Sequence, residues 1–314
     1  MCNQYGSLKV CNVNKKVSII IPCFNSEVLL PGTTIELESL LKELIESGYL
    51  PELVFIDDGS KDNTMKLLLE FKNKFQQFVR IVQLTGNFGS YNAFLAGCNY
   101  ATGDCCIQLH DDLQDPPVYI PEMLRHWENG YKMVIGQRVE RQEPFLHQLL
   151  AKLYHGLMRW YALPHVPPGG YDLILFDKEL RDHVVHMNEA NMNLVYLLSW
   201  LQYPYVAIPV KRSMIKAPSR WNFIKRTKLV IDSFVGFSYS PIRLINIFAW
   251  ISIAVFIVCV LLYLLKPGFE FLFLFFSFFF MLTLIGISVV AEYVYRTLYA
   301  ARKRPPFIVY KEFL

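Results

Sequence analysis

The chain has 314 residues, of which 53% are apolar, and it carries a formal net charge of +4 at pH 7. The apolar share exceeds the roughly 45–50% that is typical of soluble domains, and the excess lies in one region near the carboxyl terminus. Because the basic residues cluster beside that region, the composition excludes a nucleic-acid-binding protein and favours a protein that faces a membrane.

Strands and helices are predicted to alternate along the first part of the chain. Residues 1–16 are polar and lack the apolar core of a secretory signal, so we expect them to form an N-terminal tail. Short apolar runs then alternate with longer segments of helical character, which predicts a parallel sheet with right-handed crossovers. The predicted strands are 17–22, 53–56, 80–84 and 104–109, and the predicted helices are 34–47, 65–75 and a third that follows residue 90 and ends near Tyr100.

Each predicted strand ends in a polar loop, and two of these loops are strongly acidic. Asp57 and Asp58 follow the second strand, and the fourth strand leads into His110, Asp111 and Asp112. Carboxylates this close repel one another unless a cation or several donors share their charge. Either loop alone is equally compatible with a solvated acidic turn. Since the carboxyl ends of parallel strands meet at one edge, however, the four loops together predict a ligand site there.

Two long apolar segments follow at 244–265 and 269–291, and Glu270 is their only charged residue. Each is long enough to cross about 30 Å of hydrocarbon as a helix, so the pair predicts a transmembrane hairpin that turns at Lys266-Pro267-Gly268. Both flanks of the hairpin are basic, and the positive-inside rule therefore places both termini and the α/β domain in the cytoplasm.

The segment 213–243, just before the hairpin, mixes basic and apolar residues and is interpreted as a juxtamembrane interfacial helix. Residues 144–161 carry a similar apolar stripe. A packed core face remains the alternative for either segment. The seven cysteines show no paired spacing, so we expect buried, reduced thiols.

Several separate motifs together resemble the family 2 glycosyltransferases, specifically the polyprenyl-phosphate sugar synthases such as dolichyl-phosphate mannose synthase and the bactoprenol glucosyltransferases. The resemblance covers almost all of residues 17–312. The motifs are Ile20-Ile21-Pro22-Cys23-Phe24-Asn25, Asp57-Asp58-Gly59-Ser60, Asn87-Phe88-Gly89, Asp111-Asp112-Leu113-Gln114-Asp115-Pro116-Pro117 and Ser219-Arg220-Trp221-Asn222. The resemblance implies an α/β catalytic domain of the GT-A type at 17–212 with a mostly parallel sheet, followed by the interfacial helix, the hairpin and a cytoplasmic tail at 292–314.

The resemblance also implies roles for individual residues. Asp112 would be the principal ligand of a divalent cation, Mg²⁺ or Mn²⁺, that neutralises the nucleoside diphosphate of the donor. His110 stands where the family's Asp-X-Asp motif has its first acid; histidine can still bind Mn²⁺ but suits Mg²⁺ less. Residues expected to bind the nucleotide sugar are Pro22, Phe24, Glu27, Asp57, Asp58, Asn87, Gly89, Asp111 and Asp112.

The acceptor implied by the resemblance is a polyprenyl phosphate, whose phosphate is already ionised near neutral pH because its second pKa is about 6. Such a nucleophile needs positioning more than a base, so Asp172 is interpreted as a catalytic residue that orients the acceptor. Basic candidates for binding the phosphates are Arg138, Arg212, Lys216 and Arg220, although attraction to the membrane surface would explain any one of them.

Two other functions remain open at this point. A processive polysaccharide synthase would carry a Gln-X-X-Arg-Trp motif and more spans, whereas here Ala217 stands in place of that Gln. A non-catalytic membrane adaptor that binds a sugar nucleotide would explain two departures from the family pattern, namely His110 in the metal motif and Gly170, where many relatives have an acid. The expected partners are a nucleotide-sugar donor, a polyprenyl phosphate, the bilayer and further copies of this chain through the hairpin, with the protein embedded in a bacterial inner membrane.

Overall fold

The computed structural model describes residues 15–138, 156, 159–160, 163, 165–166, 171, 173–187, 194–212, 240–265, 269–302 and 304–314. The strands are β1 (Lys16–Cys23), β2 (Leu50–Asp57), β3 (Val79–Leu84), β4 (Cys105–Gln108), β5 (Met133–Arg138), β6 (Ile174–Asp177), β7 (Tyr205–Val210) and β8 (Val309–Phe313). The helices are α1 (Leu30–Glu46), α2 (Thr64–Lys74), α3 (Ser90–Tyr100), α4 (Ile120–Glu128), α5 (Lys178–Met187), α6 (Leu194–Trp200), α7 (Ser240–Leu265) and α8 (Phe269–Ala301). The sheet belongs to one compact unit of the chain, and α7 and α8 belong to another.

Within the described residues, eight strands form one sheet in the order β7-β5-β6-β4-β1-β2-β3-β8. Strand β1 pairs in parallel with β2 and with β4, and β2 pairs in parallel with β3. Strand β6 is antiparallel to both of its neighbours, β4 and β5. The sheet is therefore mostly parallel and has the GT-A arrangement, and the chain reverses its direction of winding at β1, where β2 lies on one side and β4 on the other.

The central strands are apolar on both faces because helices cover both faces of the sheet. On β1, Ile19 and Ile21 join the core that contains Leu37 and Leu41 of α1. Ile20 points to the opposite face, where α3 lies so close that a Cβ at Gly97 would be 2.1 Å from Ile20 Cγ2. Only glycine allows this approach, which packs α3 closely against β1 and β2 near Gly97.

The structure moves two of the predicted boundaries. Helix α1 begins at Leu30, ahead of the predicted residue 34, because Pro31 occupies its first turn, where a missing N–H costs nothing. The segment 292–314, predicted as a tail, contains the end of α8 and the edge strand β8, which pairs antiparallel with β3. Most of β8 is exposed, so it lacks the apolar run that identified the inner strands.

The second unit contains α7 and α8. Gly286 of α8 faces α7, since a Cβ there would lie 3.5 Å from Ile245 Cγ2. Among the described residues, one helical stretch, Phe278–Tyr295, is long and apolar enough to cross a membrane, with a mean hydropathy of 1.8 and none of it buried. The two-span hairpin thus stays a prediction. Its turn at 266–268, most of the interfacial segment 213–243 and most of 144–161 lie outside the described residues.

Candidate active site

The loop after β1 is joined to the loop after β2 by side-chain hydrogen bonds. Ser60 Oγ accepts the backbone N–H of Asn25 at 2.9 Å, and Asn25 Oδ1 accepts that of Lys61 at 2.9 Å. Glu27 accepts two bonds from Asn63, at 3.1 Å from its backbone N–H and at 2.6 Å from its amide. Asn25 has a φ of 47°, a left-handed conformation that asparagine tolerates better than most residues. These bonds place Pro22, at the end of β1, Phe24 and Glu27 at the carboxyl edge of the sheet, as predicted.

Asp57 ends β2 and its side chain is fully buried. Its Oδ1 accepts the backbone N–H of Ser60 at 3.1 Å, and its Oδ2 accepts Gln83 Nε2 of β3 at 3.0 Å. Both carboxylate oxygens therefore have a protein donor, and Asp57 is fixed between the ends of two strands. Gln83 was not among the predicted site residues. It stands near the end of the predicted strand that follows the strand ending at Asp57, and this position is the signal that would have identified it.

Asp58 is also buried, with 3% of its surface exposed, and binds the loop after β3. Its two oxygens accept the backbone N–H groups of Phe88 at 2.7 Å and Gly89 at 2.9 Å. Burial raises the pKa of Asp58 to about 6; the two N–H groups act in the opposite direction, and the charge of Asp57 adds to the increase. Asn87 Oδ1 also accepts the N–H of Gly89, at 3.1 Å, so Asp58, Asn87 and Gly89, all predicted site residues, meet at one N–H group.

The acidic loop after β4 contains two neighbouring carboxylates in different environments. Asp111 is buried and accepts a hydrogen bond from Ser26 Oγ, while its backbone oxygen accepts Thr33 Oγ1 at 2.6 Å. Asp112 is partly exposed, and its Oδ1 accepts the backbone N–H of Gln114 at 3.2 Å. The structure therefore assigns the two acids different tasks, since Asp111 ties the acidic loop to the loop after β1 and Asp112 is accessible to a cation.

His110 lies next to Gln108, the last residue of β4. The two Nε2 atoms are 3.3 Å apart, and Gln108 Oε1 is buried without a hydrogen-bond partner among the described residues. In the described part of the chain, no group of three or more His, Cys, Asp or Glu side chains is arranged to hold a metal ion.

Arg212, predicted to bind phosphate, contacts the acidic loop. Its guanidinium lies 3.3 Å from each oxygen of the buried Asp115 and 2.7 Å from Gln114 Oε1. It therefore holds the loop that carries Asp112. Arg138 ends β5, which is separated from β1 by β6 and β4. The other predicted residues, Asp172, Lys216 and Arg220, lie outside the described residues.

Comparison with known proteins identifies the family. The family described as "Glycosyl transferase family 2" matches residues 18–183. Two similar proteins are the uncharacterized glycosyltransferases YkcC of Bacillus subtilis (strain 168) and sll0501 of Synechocystis sp. (strain ATCC 27184 / PCC 6803 / Kazusa). They are 29% identical to this chain over 307 and 304 residues, and each match covers 94% of this chain and 94% of the relative.

Two solved structures are among those to which this chain is similar. The mannosyltransferase PcManGT from Pyrobaculum calidifontis, in complex with GDP-Man and Mn²⁺, is 14% identical with a TM-score of 0.49, covering 90% of this chain and 88% of that chain. Glucosyl-3-phosphoglycerate synthase from Mycobacterium tuberculosis, in complex with UDP, is 13% identical with a TM-score of 0.47, covering 70% and 78%. Because the family match spans more than half of the chain, this protein belongs to glycosyl transferase family 2 and is a glycosyltransferase.

Proposed function

We propose that this family 2 glycosyltransferase moves a single sugar from a nucleotide-sugar donor to a polyprenyl phosphate, with inversion at the sugar carbon. One combination carries the proposal: the acid-lined edge of the sheet and the exposed apolar stretch Phe278–Tyr295 belong to the same chain. A lipid acceptor requires contact with a bilayer, which an apolar helix of this length would provide. The product would be a lipid-linked sugar for the assembly or modification of cell-surface glycans.

The donor would lie at the carboxyl edge of β1–β4. Pro22, Phe24, Glu27 and Asp57 stand at the ends of β1 and β2, where the base and ribose would bind. The loops after β1 and β2 are tied together through Asn25 and Glu27, so the pocket for the nucleoside is held in shape before the donor arrives. Such preorganisation reduces the entropy that binding costs.

A divalent cation, Mg²⁺ or Mn²⁺, fits the donor set at the end of β4. Asp112 offers a partly exposed carboxylate, and His110 would be a second ligand through an imidazole nitrogen. When bound, the cation supplies positive charge that neutralises the departing nucleoside diphosphate. Arg212 and Asp115 keep Asp112 in place by holding the loop on either side of Gln114.

The acceptor phosphate is ionised near neutral pH and can attack the sugar carbon without losing a proton. The protein would therefore position and screen it. Asp172 would orient the acceptor, and Arg138, Lys216 and Arg220 would bind its phosphate or that of the donor. The membrane location, with the catalytic domain and both termini in the cytoplasm and with copies associated through the hairpin, is part of the same proposal.

A lipid-extraction assay tests the proposal. Full-length protein in membranes is incubated with polyprenyl phosphate, Mg²⁺ or Mn²⁺ and a panel of labelled nucleotide sugars, and the product is extracted into organic solvent. We expect label in the organic phase for one donor, none with the unphosphorylated polyprenol, and none in EDTA. Label that stays in water or in an insoluble polymer would contradict the lipid acceptor, and full activity in EDTA would contradict the cation.

Thiol labelling in intact cells tests the orientation. With Cys259 removed, a single cysteine placed in the 266–268 turn should react with an impermeant reagent added outside, and one placed at Lys303 should not. The reverse pattern would overturn the cytoplasmic position of the catalytic domain.

A further inference from the structure

The backbone of Phe88, between β3 and α3, is held from two sides by buried side chains. Its N–H donates to Asp58 Oδ1 at 2.7 Å, and its carbonyl accepts Asn92 Nδ2 at 2.8 Å. Asp58 and Asn92 are 3% and 5% exposed. The N–H of the next residue, Gly89, donates to Asp58 Oδ2 at 2.9 Å. The loop after β3 is therefore fixed by hydrogen bonds that solvent does not reach.

The loops after β2 and β3 also touch through their backbones. Gly59 has a φ of +70°, and a Cβ at this position would lie 2.6 Å from both the Cα and the carbonyl carbon of Gly86. Only glycine combines this left-handed conformation with so close an approach. The backbone contact and the Asp58 hydrogen bonds are independent observations, and both join the same two loops.

Asp58 occupies the place beside the amino end of α3 that an anionic ligand would otherwise take. Its carboxylate already uses the N–H groups of Phe88 and Gly89, and its side chain is buried. Donor phosphate therefore cannot share those N–H groups, and Asp58 has little surface left to offer the donor. Any effect of Asp58 on the donor is thus transmitted through the loop.

We propose that Asp58 is a positioning residue, which clamps the Phe88–Gly89 backbone to the end of β2 and so makes the loop after β3 a rigid wall of the donor site. The inference rests on the proposed nucleotide-sugar donor and assigns Asp58 an indirect role in binding it. It predicts that donor affinity requires the ionised carboxylate, because a protonated carboxyl accepts two N–H bonds less well than a charged one.

The surroundings of Asp58 place its ionisation, and with it the predicted change in donor affinity, in a pH range that experiments can reach. Burial raises the pKa of Asp58 to about 6. The N–H groups of Phe88 and Gly89 lower this pKa, and the charge of Asp57 raises it further. From β1, Cys23 faces the same place: its carbonyl accepts the Asp58 N–H at 2.9 Å, and its thiol is buried. Lowering the pH from 8 through 6 therefore protonates Asp58 and weakens the clamp.

Two readouts on purified full-length protein test the proposal with the Asp58→Asn variant. The first is hydrogen exchange of the amides at 85–92, which should be about tenfold faster in the variant at pH 8, because one of the two N–H groups loses its acceptor. The second is the affinity for UDP, GDP and ADP with Mn²⁺, measured by calorimetry. The wild type should bind one of them, with affinity that falls between pH 7 and 5; the variant should bind it about tenfold more weakly at pH 8. The affinity of the variant should fall less on acidification than that of the wild type, because only the terminal phosphate of the nucleotide, with a pKa of about 6, still titrates there.

A pair of glycine variants separates the loop contact from backbone strain. Gly59→Ala forces a left-handed alanine against Gly86, while Gly48→Ala, at a φ of +84° with no atom within 4 Å, carries the strain alone. We expect weaker nucleotide binding for Gly59→Ala and unchanged binding for Gly48→Ala.

Each contrary outcome overturns a defined statement. Unchanged exchange in Asp58→Asn would refute the clamp, whatever the nucleotide does. Faster exchange with unchanged affinity, or a loss of kcat with unchanged donor KM, would refute the indirect role in donor binding. A wild type that binds none of the nucleotides while exchange responds as expected would refute the proposed donor, and with it the role of Asp58 toward that donor.

Discussion

A buried acidic residue lies near each end of β2, and the pKa values of the two are shifted in opposite directions. Near the amino end, Glu52 is 4% exposed and meets Arg80 Nε at 2.8 Å and Lys16 Nζ at 3.2 Å, with a further hydrogen bond from Ser18 Oγ at 2.6 Å. Burial would raise the pKa of Glu52, but hydrogen bonds from Ser18 and Thr102 and the charges of Lys16 and Arg80 lower it overall. At the carboxyl end, no Lys or Arg side chain of the described residues pairs with Asp58, and burial raises its pKa to about 6.

The contrast distinguishes an acid that stabilises the fold from acids that we propose serve the donor site. At the amino end the protein supplies its own counter-charges, so Glu52 needs nothing from outside. At the carboxyl end Asp57, Asp58 and Asp112 accept hydrogen bonds mostly from backbone N–H groups and an amide. The negative charge that accumulates there is what a divalent cation would neutralise. Buried acids with raised pKa values and no cation are common features of functional sites.

The largest effect is expected at Asp112. Asp112→Ala should lower kcat/KM for sugar transfer at least about 10³-fold, because the leaving diphosphate would lose its counter-cation. Its stability should change by less than about 0.5 kcal/mol, since the side chain is partly exposed. Transfer rates and urea unfolding of the purified variant in detergent check both statements. Near-normal transfer would show that this end of the sheet does not bind a catalytic cation through Asp112.

Substitution of Glu52 should have the opposite effect, lowering stability while leaving turnover unchanged. Glu52→Gln should lower the free energy of unfolding by about 2 kcal/mol, less than for a fully buried pair because the Lys16 and Arg80 side chains keep about a third of their surface exposed. Turnover per folded molecule should stay at the wild-type level. The matched control is Glu38→Gln, which removes surface ion pairs to Lys42 and Lys74 and should leave the unfolding midpoint nearly unchanged, because solvent screens exposed pairs.

The pH dependence of stability should differ in sign between the two ends. Asp58 has a folded-state pKa of about 6, above its ordinary value of 3.8, so its protonation favours the folded state. As the pH falls from 8 to 4, wild type should gain up to about 3 kcal/mol relative to Asp58→Asn. Glu52 has a lowered pKa, so its contribution is present above pH 4.5 and is lost as the pH falls through its folded-state pKa. Urea unfolding between pH 8 and 4 measures both, and a wild type that weakens relative to Asp58→Asn above pH 5 would contradict the assignment.

The smallest effect is expected at Asp172, which extends the comparison to an acid with a proposed orienting role. Asp172→Asn should lower transfer by about tenfold, well short of the roughly 10²–10⁴-fold that loss of a general base costs, because an ionised lipid phosphate needs no deprotonation. The pH–rate profile should keep a limb near pH 6 from that phosphate. A loss beyond a thousandfold in a folded, donor-binding variant, together with a missing carboxylate limb, would make Asp172 the base.

Much of the catalytic fold could be predicted from sequence because its signals are local. The first four strands are rich in apolar residues, and acidic residues come at or just after the ends of the second and fourth, so pattern and the geometry of parallel sheets were enough to predict a ligand site. The resemblance to family 2 supplied the residue roles, and the family match confirms that resemblance as far as the family. The lipid acceptor, the hairpin and the catalytic role of Asp172 stay predictions.

The sequence by itself determined the α/β alternation, the acidic carboxyl edge and the apolar helices, since each is written in residues that are neighbours in the chain. Only the tertiary structure decided what each acid does. Asp111 meets Ser26 across 85 positions, Arg212 reaches Asp115 across 97, and β8 returns to β3 from the far end of the chain. Such contacts depend on where the folded backbone brings distant residues. Burial distinguishes the accessible Asp112 from the enclosed Asp58 and Asp111, and it arises only after the helices have covered the sheet.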